Sequence, residues 1–112
     1  MAEPTITGVF GSNAAQTATT LTIDKADLAA VGLTAAPSNT AESLLTAILL
    51  LAKGRLSQSA FDSNLDQSLT LTDGFQSIVQ RDNGGTLENY RQIQVNVNFH
   101  TVDSSNLDPD NY

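Results

Sequence analysis

His100 is the only histidine in the chain. A general base or catalytic triad would need it hydrogen-bonded to a nucleophile on one side and to an orienting carboxylate on the other. Asp103 stands three residues on and supplies a carboxylate, but no serine sits in a strained G-x-S-x-G elbow. His100 closes an alternating polar row, so it reads as a surface or interface residue. Asp103, Asp108 and Asp110 are the second candidate, a carboxylate set for a hard cation such as calcium. Their spacing lacks the alternate oxygens, central glycine and terminal glutamate of an EF-hand loop, and a solvated acidic tail accounts for them. Gly8, Gly11, Gly84 and Gly85 do not complete a phosphate-binding loop with its Lys-Ser/Thr ending and read as turn glycines. With no cysteine, thiolate metal sites and a disulfide framework are excluded. These residues predict no enzyme, no metal and no cofactor.

Composition points the same way. Twelve acidic residues against five basic ones leave a net charge of −7. A chain this poor in cations cannot neutralise a phosphate backbone, so direct nucleic-acid binding is not expected, and an anionic membrane surface would repel it. Only 15% of residues are charged. Solubility falls to Ser, Thr, Asn and Gln, which lose less than ions do when a surface is desolvated. That suits proteins covered by neighbours, and equally an ordinary monomer with a Ser/Thr-rich exterior. The first residues, Met-Ala-Glu-Pro-Thr, have neither the basic start nor the apolar stretch of a signal peptide. The apolar run 47–52 is far short of a membrane span. A length of 112 residues fits one domain, with extended termini expected at residues 1–7 and 103–112.

The elements are set by periodicity. From Arg91, Ile93, Val95, Val97 and Phe99 alternate with Gln92, Gln94, Asn96, Asn98 and His100. A strand sends successive side chains to opposite faces, so this run predicts a sheet with one dry face and one amide face. The amide row is read either as a solvated outer face or as a protein-contact face. Residues 75–81 form the partner strand, preceded by a strand at 67–72 and a tight turn at Asp73-Gly74. A two-residue Asn-Gly turn would set Phe75 beside Gln92. A three-residue loop over 83–85 instead pairs Asp82 with Thr86, Phe75 with Ile93 and Ile78 with Tyr90, which keeps the dry face together. In that arrangement Gln76, Ile78 and Gln80 continue the amide face, and Ile78 and Tyr90 are exposed on it together.

Residues 40–53 predict the principal helix. Asn39 and Glu42 make a capping-box-like start, and Gly54 makes the stop. Leu44, Leu45, Ile48, Leu49, Leu51 and Ala52 give a broad apolar face that Ala47 and Leu50 extend further round. A helix greasy on nearly all sides is buried on nearly all sides, so one side is assigned to the sheet and the other to a neighbouring subunit. Short strands are expected over 5–10 and 19–23, with a loop over 11–17. A short helix is expected over 25–31 between Asp24 and Gly32. A helical turn over 59–64 is expected to anchor through Phe61 and Leu65. The fold class is therefore α+β, an antiparallel sheet with a C-terminal hairpin packed on one central apolar helix.

Residues 10–28, Phe-Gly-Ser-Asn-Ala-Ala-Gln-Thr-Ala-Thr-Thr-Leu-Thr-Ile-Asp-Lys-Ala-Asp-Leu, resemble the opening of small virion proteins of bacteriophages that infect cyanobacteria. Residues 75–85, Phe-Gln-Ser-Ile-Val-Gln-Arg-Asp-Asn-Gly-Gly, resemble them too, and together the two segments cover about a quarter of the chain. The resemblance implies a virion location and a structural role among other virion proteins. It implies a capsid decoration or cement protein, or a neck, tail or baseplate component. No site residue is carried over by it. From the residues themselves, the expected interface is Leu50 on the helix, Ile78, Tyr90, Gln92, Gln94 and Asn96 on the sheet, and Tyr112 at the end, in a homo-oligomer. A carbohydrate-binding or adhesion module is the other binding class, weakened by two tyrosines and no tryptophan for sugar stacking. A hydrolase using His100 and Asp103 is the third.

Overall fold

The computed structural model describes residues 2–101 and 107–112. It is an α+β chain whose C-terminal antiparallel hairpin packs at its base against helices. In order, the elements are α1 (Ile6–Phe10), β1 (Ala15–Gln16), β2 (Leu21–Thr22), a 3-10 helix (Lys25–Val31), α2 (Ala41–Arg55), α3 (Gln58–Ser63), β3 (Leu69–Asn83), β4 (Thr86–Phe99) and a 3-10 turn (Pro109–Asn111).

The N-terminal segment departs from expectation. Residues 5–10 are β-rich in composition, yet Ile6–Phe10 is helical. The Thr5 hydroxyl accepts from the Gly8 amide at 3.0 Å and caps the turn. Gly8 lets the turn approach α2, because a Cβ there would lie 3.4 Å from Arg55 Nε. Packing against α2 overrides the strand propensity. The expected loop over 11–17 contains β1, which pairs with β2 as a two-residue ladder. Asp27 holds the bend between α1 and β1. Its carboxylate accepts from the Asn13 amide at 2.9 Å, Asn13 Nδ2 at 3.0 Å and Ser12 Oγ at 3.2 Å.

The helix over 25–31 forms as a 3-10 helix, with Asp24 accepting from Ala26 N and Gly32 left-handed at its end. The cap of α2 is displaced by one residue. Thr40, not Asn39, accepts from the Ser43 amide, at 3.1 Å. Asn39 instead ties the connector, accepting from Ala36 N and donating to Thr34 O. Gly54 lies inside the helix, which ends at Arg55 with Leu56 as its C-cap. Through α3 the chain turns into β3, and the Leu71 amide donates to Leu56 O at 2.9 Å.

The core sits where α1, α2 and the hairpin base meet. Ala52, Leu56 and Leu71 are buried there, with Val9, Leu69 and Val95 packed around them. Gln67 is 2% exposed, and its Nε2 bridges Ser57 O at 3.2 Å and Leu69 O at 2.8 Å, locking α3 to the start of β3. Phe61 anchors α3 by stacking on His100, with ring centroids 4.4 Å apart. Leu65, the other expected anchor, is 87% exposed.

Candidate interaction surface

Beyond its base the hairpin becomes an arm. Among the described residues β3 and β4 pair only with each other, as a two-stranded antiparallel ribbon. Burial along β3 falls away after Leu71 and Thr72, and along β4 only Tyr90 and Val95 are half-buried. The expected tight turn at Asp73-Gly74 is instead a bulge inside one continuous strand. Pairing runs from Leu69↔Phe99 to Asp73↔Val95, skips, and resumes at Gln76↔Ile93. Gly74 is required there, since a Cβ on it would lie 2.8 Å from Gln94 Cβ and 3.1 Å from Gln94 O. The Phe75 amide, out of the ladder, donates to Gln94 Oε1 at 3.3 Å.

The tip turn corrects the expected register. Asn83 pairs with Thr86 across a two-residue Gly84-Gly85 turn. Both glycines have positive φ, 67° and 95°, the pattern of a type I′ turn whose twist matches the strands. Relative to a three-residue loop this shifts the arm by one residue, and the bulge takes up that residue before the base. Ile78 therefore faces Arg91, and Val79 faces Tyr90. Directly paired residues share a face, so Ile78 and Tyr90 lie on opposite faces rather than together.

The dry face is consequently longer than expected. Leu69, Leu71, Val95, Val97 and Phe99 continue outward as Ile93, Ile78 and Leu87. Gln76, Ile78 and Gln80 belong to this face and not to the amide row. Its inner end is covered, with Leu71 at 4% exposure, while Ile78, Ile93 and Leu87 stand 55–67% exposed and Phe75, in the bulge, 86%. The opposite face carries Asn98, Asn96, Gln94 and Gln92, then Tyr90. Tyr90 is half-buried beneath the Arg81 guanidinium, 5.0 Å from its ring centre, and Asn83 Nδ2 donates to its hydroxyl at 2.6 Å. That ring face is occupied within the chain.

A second open apolar surface lies on α2. Leu45 and Leu49 are exposed one turn apart, on the stripe that ends at Lys53. Lys53 makes an ion pair with Asp73 of the hairpin. From that ion pair the two apolar stripes depart, one along the helix and one along the arm. Leu50 faces elsewhere, into an open groove of about 400 Å³ between Val31–Thr34 and α2. Val31, Leu33, Thr34, Asn39, Ser43 and Leu50 are among the lining residues, which include no titratable group.

These exposures add up to a chain that does not close on itself. The radius of gyration is 16.9 Å, against about 13 Å for a compact domain of this length. The accessible surface is 8030 Å², against about 5,900 Å² for a compact monomer of this mass.

The expected site residues are thus scattered. Ile78 lies on the dry face, Tyr90 and the amides Gln92, Gln94 and Asn96 on the other, and Leu50 in the helix groove. Tyr112 is half-buried, its ring edge-on to Phe99 with centroids 5.6 Å apart. The chain end is therefore held at the hairpin base rather than extended away. The exposed members of the dry face other than Ile78 were missed as contact residues. Their alternation marked them as dry, but nothing local says whether a dry face is covered.

Among the described residues no set of groups is assembled for reaction chemistry. His100 Nε2 lies 3.3 Å from Thr70 Oγ1, a fully buried hydroxyl, and the ring stacks on Phe61. These contacts make it part of the packing of α3 on the hairpin. Asp103 lies outside the described residues. Asp108 accepts from the Asp110 amide and caps the last turn. Among the described residues no three His, Cys, Asp or Glu side chains converge as metal ligands, and no helix is long and apolar enough to cross a membrane. Compared with family models, curated proteins and solved structures, the chain gives no match.

Proposed function

We propose that the chain is a non-enzymatic structural protein of a bacteriophage particle, a capsid decoration or cement protein, that works by docking to its neighbours. The observation that carries this reading is the surplus of accessible surface, about 2,100 Å² above a compact monomer. The exposed apolar side chains include Ile78, Leu87 and Ile93 on the dry-faced arm and Leu45 and Leu49 on the helix stripe. Exposed patches of that kind mark interaction sites in soluble proteins. The neutral-polar composition supports the reading, and so does the resemblance of residues 10–28 and 75–85 to cyanophage virion proteins. The partners are other virion proteins and further copies of the chain.

The test is immunogold labelling and quantitative mass spectrometry of purified particles from the phage that encodes the chain. Many copies spread over the head are expected. Label confined to the tail or baseplate would reassign the role within the particle. Absence from particles would end the proposal.

A further inference from the structure

The two open apolar surfaces complement each other, and this deepens the proposed assembly role, on which it rests. One is a sheet face without a helix, and the other is a helix stripe without a sheet. A helix stripe and a dry sheet face normally bury each other as adjacent layers. Here they meet only at the base, around Ala52, Leu56 and Leu71. Beyond the bulge, Ile78, Leu87 and Ile93 are open, and so are Leu45 and Leu49.

We infer that two copies of this chain exchange arms, the dry face of each arm lying on the Glu42–Leu45–Leu49 stripe of the other copy's α2. A two-fold axis makes the exchange reciprocal, so both surfaces of both copies are covered by one self-complementary interface. A stable dimer buries about 800 Å² per partner, and the surplus of about 2,100 Å² over the whole chain leaves room for that.

Charge agrees as well. Arg91 lies on the dry face, directly paired with Ile78 and two residues from Ile93. Its guanidinium reaches Gln76 Oε1 at 3.4 Å and, among the described residues, no carboxylate. Glu42 stands on the helix stripe, three residues before Leu45, and meets no cation among the described residues. Glu42, Leu45 and Leu49 span about 10 Å of helix. Ile93 and Arg91 are about 7 Å apart along the strand, a difference the long arginine side chain bridges. In the exchanged pair, Arg91 of one copy meets Glu42 of the other while Ile78 and Ile93 cover Leu45 and Leu49.

The test uses the purified full chain in light scattering after size exclusion. Wild type runs at twice the 11.8 kDa chain mass. Arg91→Glu and Glu42→Arg each weaken dimerisation by at least about tenfold, and the charge-swapped double variant recovers it. Because the chain has no cysteine, Leu45→Cys and Ile93→Cys chains can be mixed and treated with a short bis-maleimide. A covalent dimer is expected from the mixture and not from either variant alone. The inference is overturned by a monomeric wild type, by dimers indifferent to either charge reversal, or by a double variant that stays monomeric. It is equally overturned by Ile93→Cys cross-linking to itself, or by a chain with both cysteines linking only internally, its arm folded onto its own helix. A dimer that passes these tests yet is absent from particles would sink the virion role alone. A monomer abundant in particles would sink the exchange alone.

Discussion

Leu71→Ala and Ile93→Ala remove an aliphatic side chain from the same face of the same hairpin, and they should behave in opposite ways. Leu71 is 4% exposed and packs with Ala52 and Leu56. Truncating such a leucine loses its transfer free energy and leaves a cavity, about 3 kcal/mol for a site with some freedom to relax. Five apolar side chains are buried among the described residues, so total stability belongs near the low end for this length, about 5–6 kcal/mol. Leu71→Ala should therefore take away about half of it and lower the melting temperature by about 13 °C. Ile93 is 66% exposed, so its truncation forfeits only about 0.5–1 kcal/mol in the isolated chain. Melts followed by far-ultraviolet circular dichroism at two concentrations separate the cases. Leu71→Ala should lose the same amount at both. Ile93→Ala should lie only about 2–4 °C below wild type when dilute and fall further below it when concentrated, because only the assembled wild type gains from association. Equal, concentration-independent losses for both variants would mean that the arm is packed within the chain, and the argument from exposure would fail.

Three further outcomes follow from local geometry. Gly74→Ala places a Cβ 2.8 Å from Gln94 Cβ and 3.1 Å from its carbonyl, so the bulge must open, at about 1–3 kcal/mol, with altered amide shifts at Phe75 and Gln94. Thr40→Ala removes the acceptor for the Ser43 amide and should cost about 1 kcal/mol in urea unfolding. Gln67→Leu deprives Ser57 O and Leu69 O of their shared donor. Ser57 O keeps the Phe61 amide as a donor and the buried Gln67 Oε1 has no partner among the described residues to lose, so the cost should be about 1–2 kcal/mol, with faster amide exchange in α3 than in α2.

What was legible in the sequence was whatever a period or a cap encodes. The alternation from Ile93 to Phe99, the apolar run of α2, the Asp24–Gly32 bracket of the 3-10 helix and the helical turn before Asn64 all correspond to observed elements. Tertiary competition was not legible. Residues 5–10 have a strand's composition and a helix's structure because α2 offers a surface and Thr5 offers a cap. Asn39 and Thr40 both suit an N-cap, and Asn39 was drawn off by Thr34 and Ala36. The hairpin register failed at one point for a similar reason. Asp73-Gly74 and Gly84-Gly85 both look like turns, and only the global pairing shows that the first is a bulge and the second is the tip. That single residue decides the face on which Ile78 lies, and with it the content of the candidate surface.

The exposure of the arm has a cause that the element lengths already contain. β3 has 15 residues and α2 also has 15. A strand advances about 3.3 Å per residue and a helix about 1.5 Å. The ribbon is therefore about 50 Å long and the helix about 22 Å, so a single α2 can cover less than half of the dry face. α1 and α3 are too short to cover the remainder, with five and six residues. The outer half of the face is left without cover from these helices. Among its paired positions Ile78, Leu87 and Ile93 are apolar and exposed, and they alternate with Gln76, Gln80, Asp82, Asn89 and Arg91. The apolar cover closest to hand is another copy's Leu45 and Leu49, exposed in the same chain for want of a sheet. A hairpin twice as long as its helix is in this sense what the proposed arm exchange would complete, and burial along β3 falls away around the bulge at Gly74.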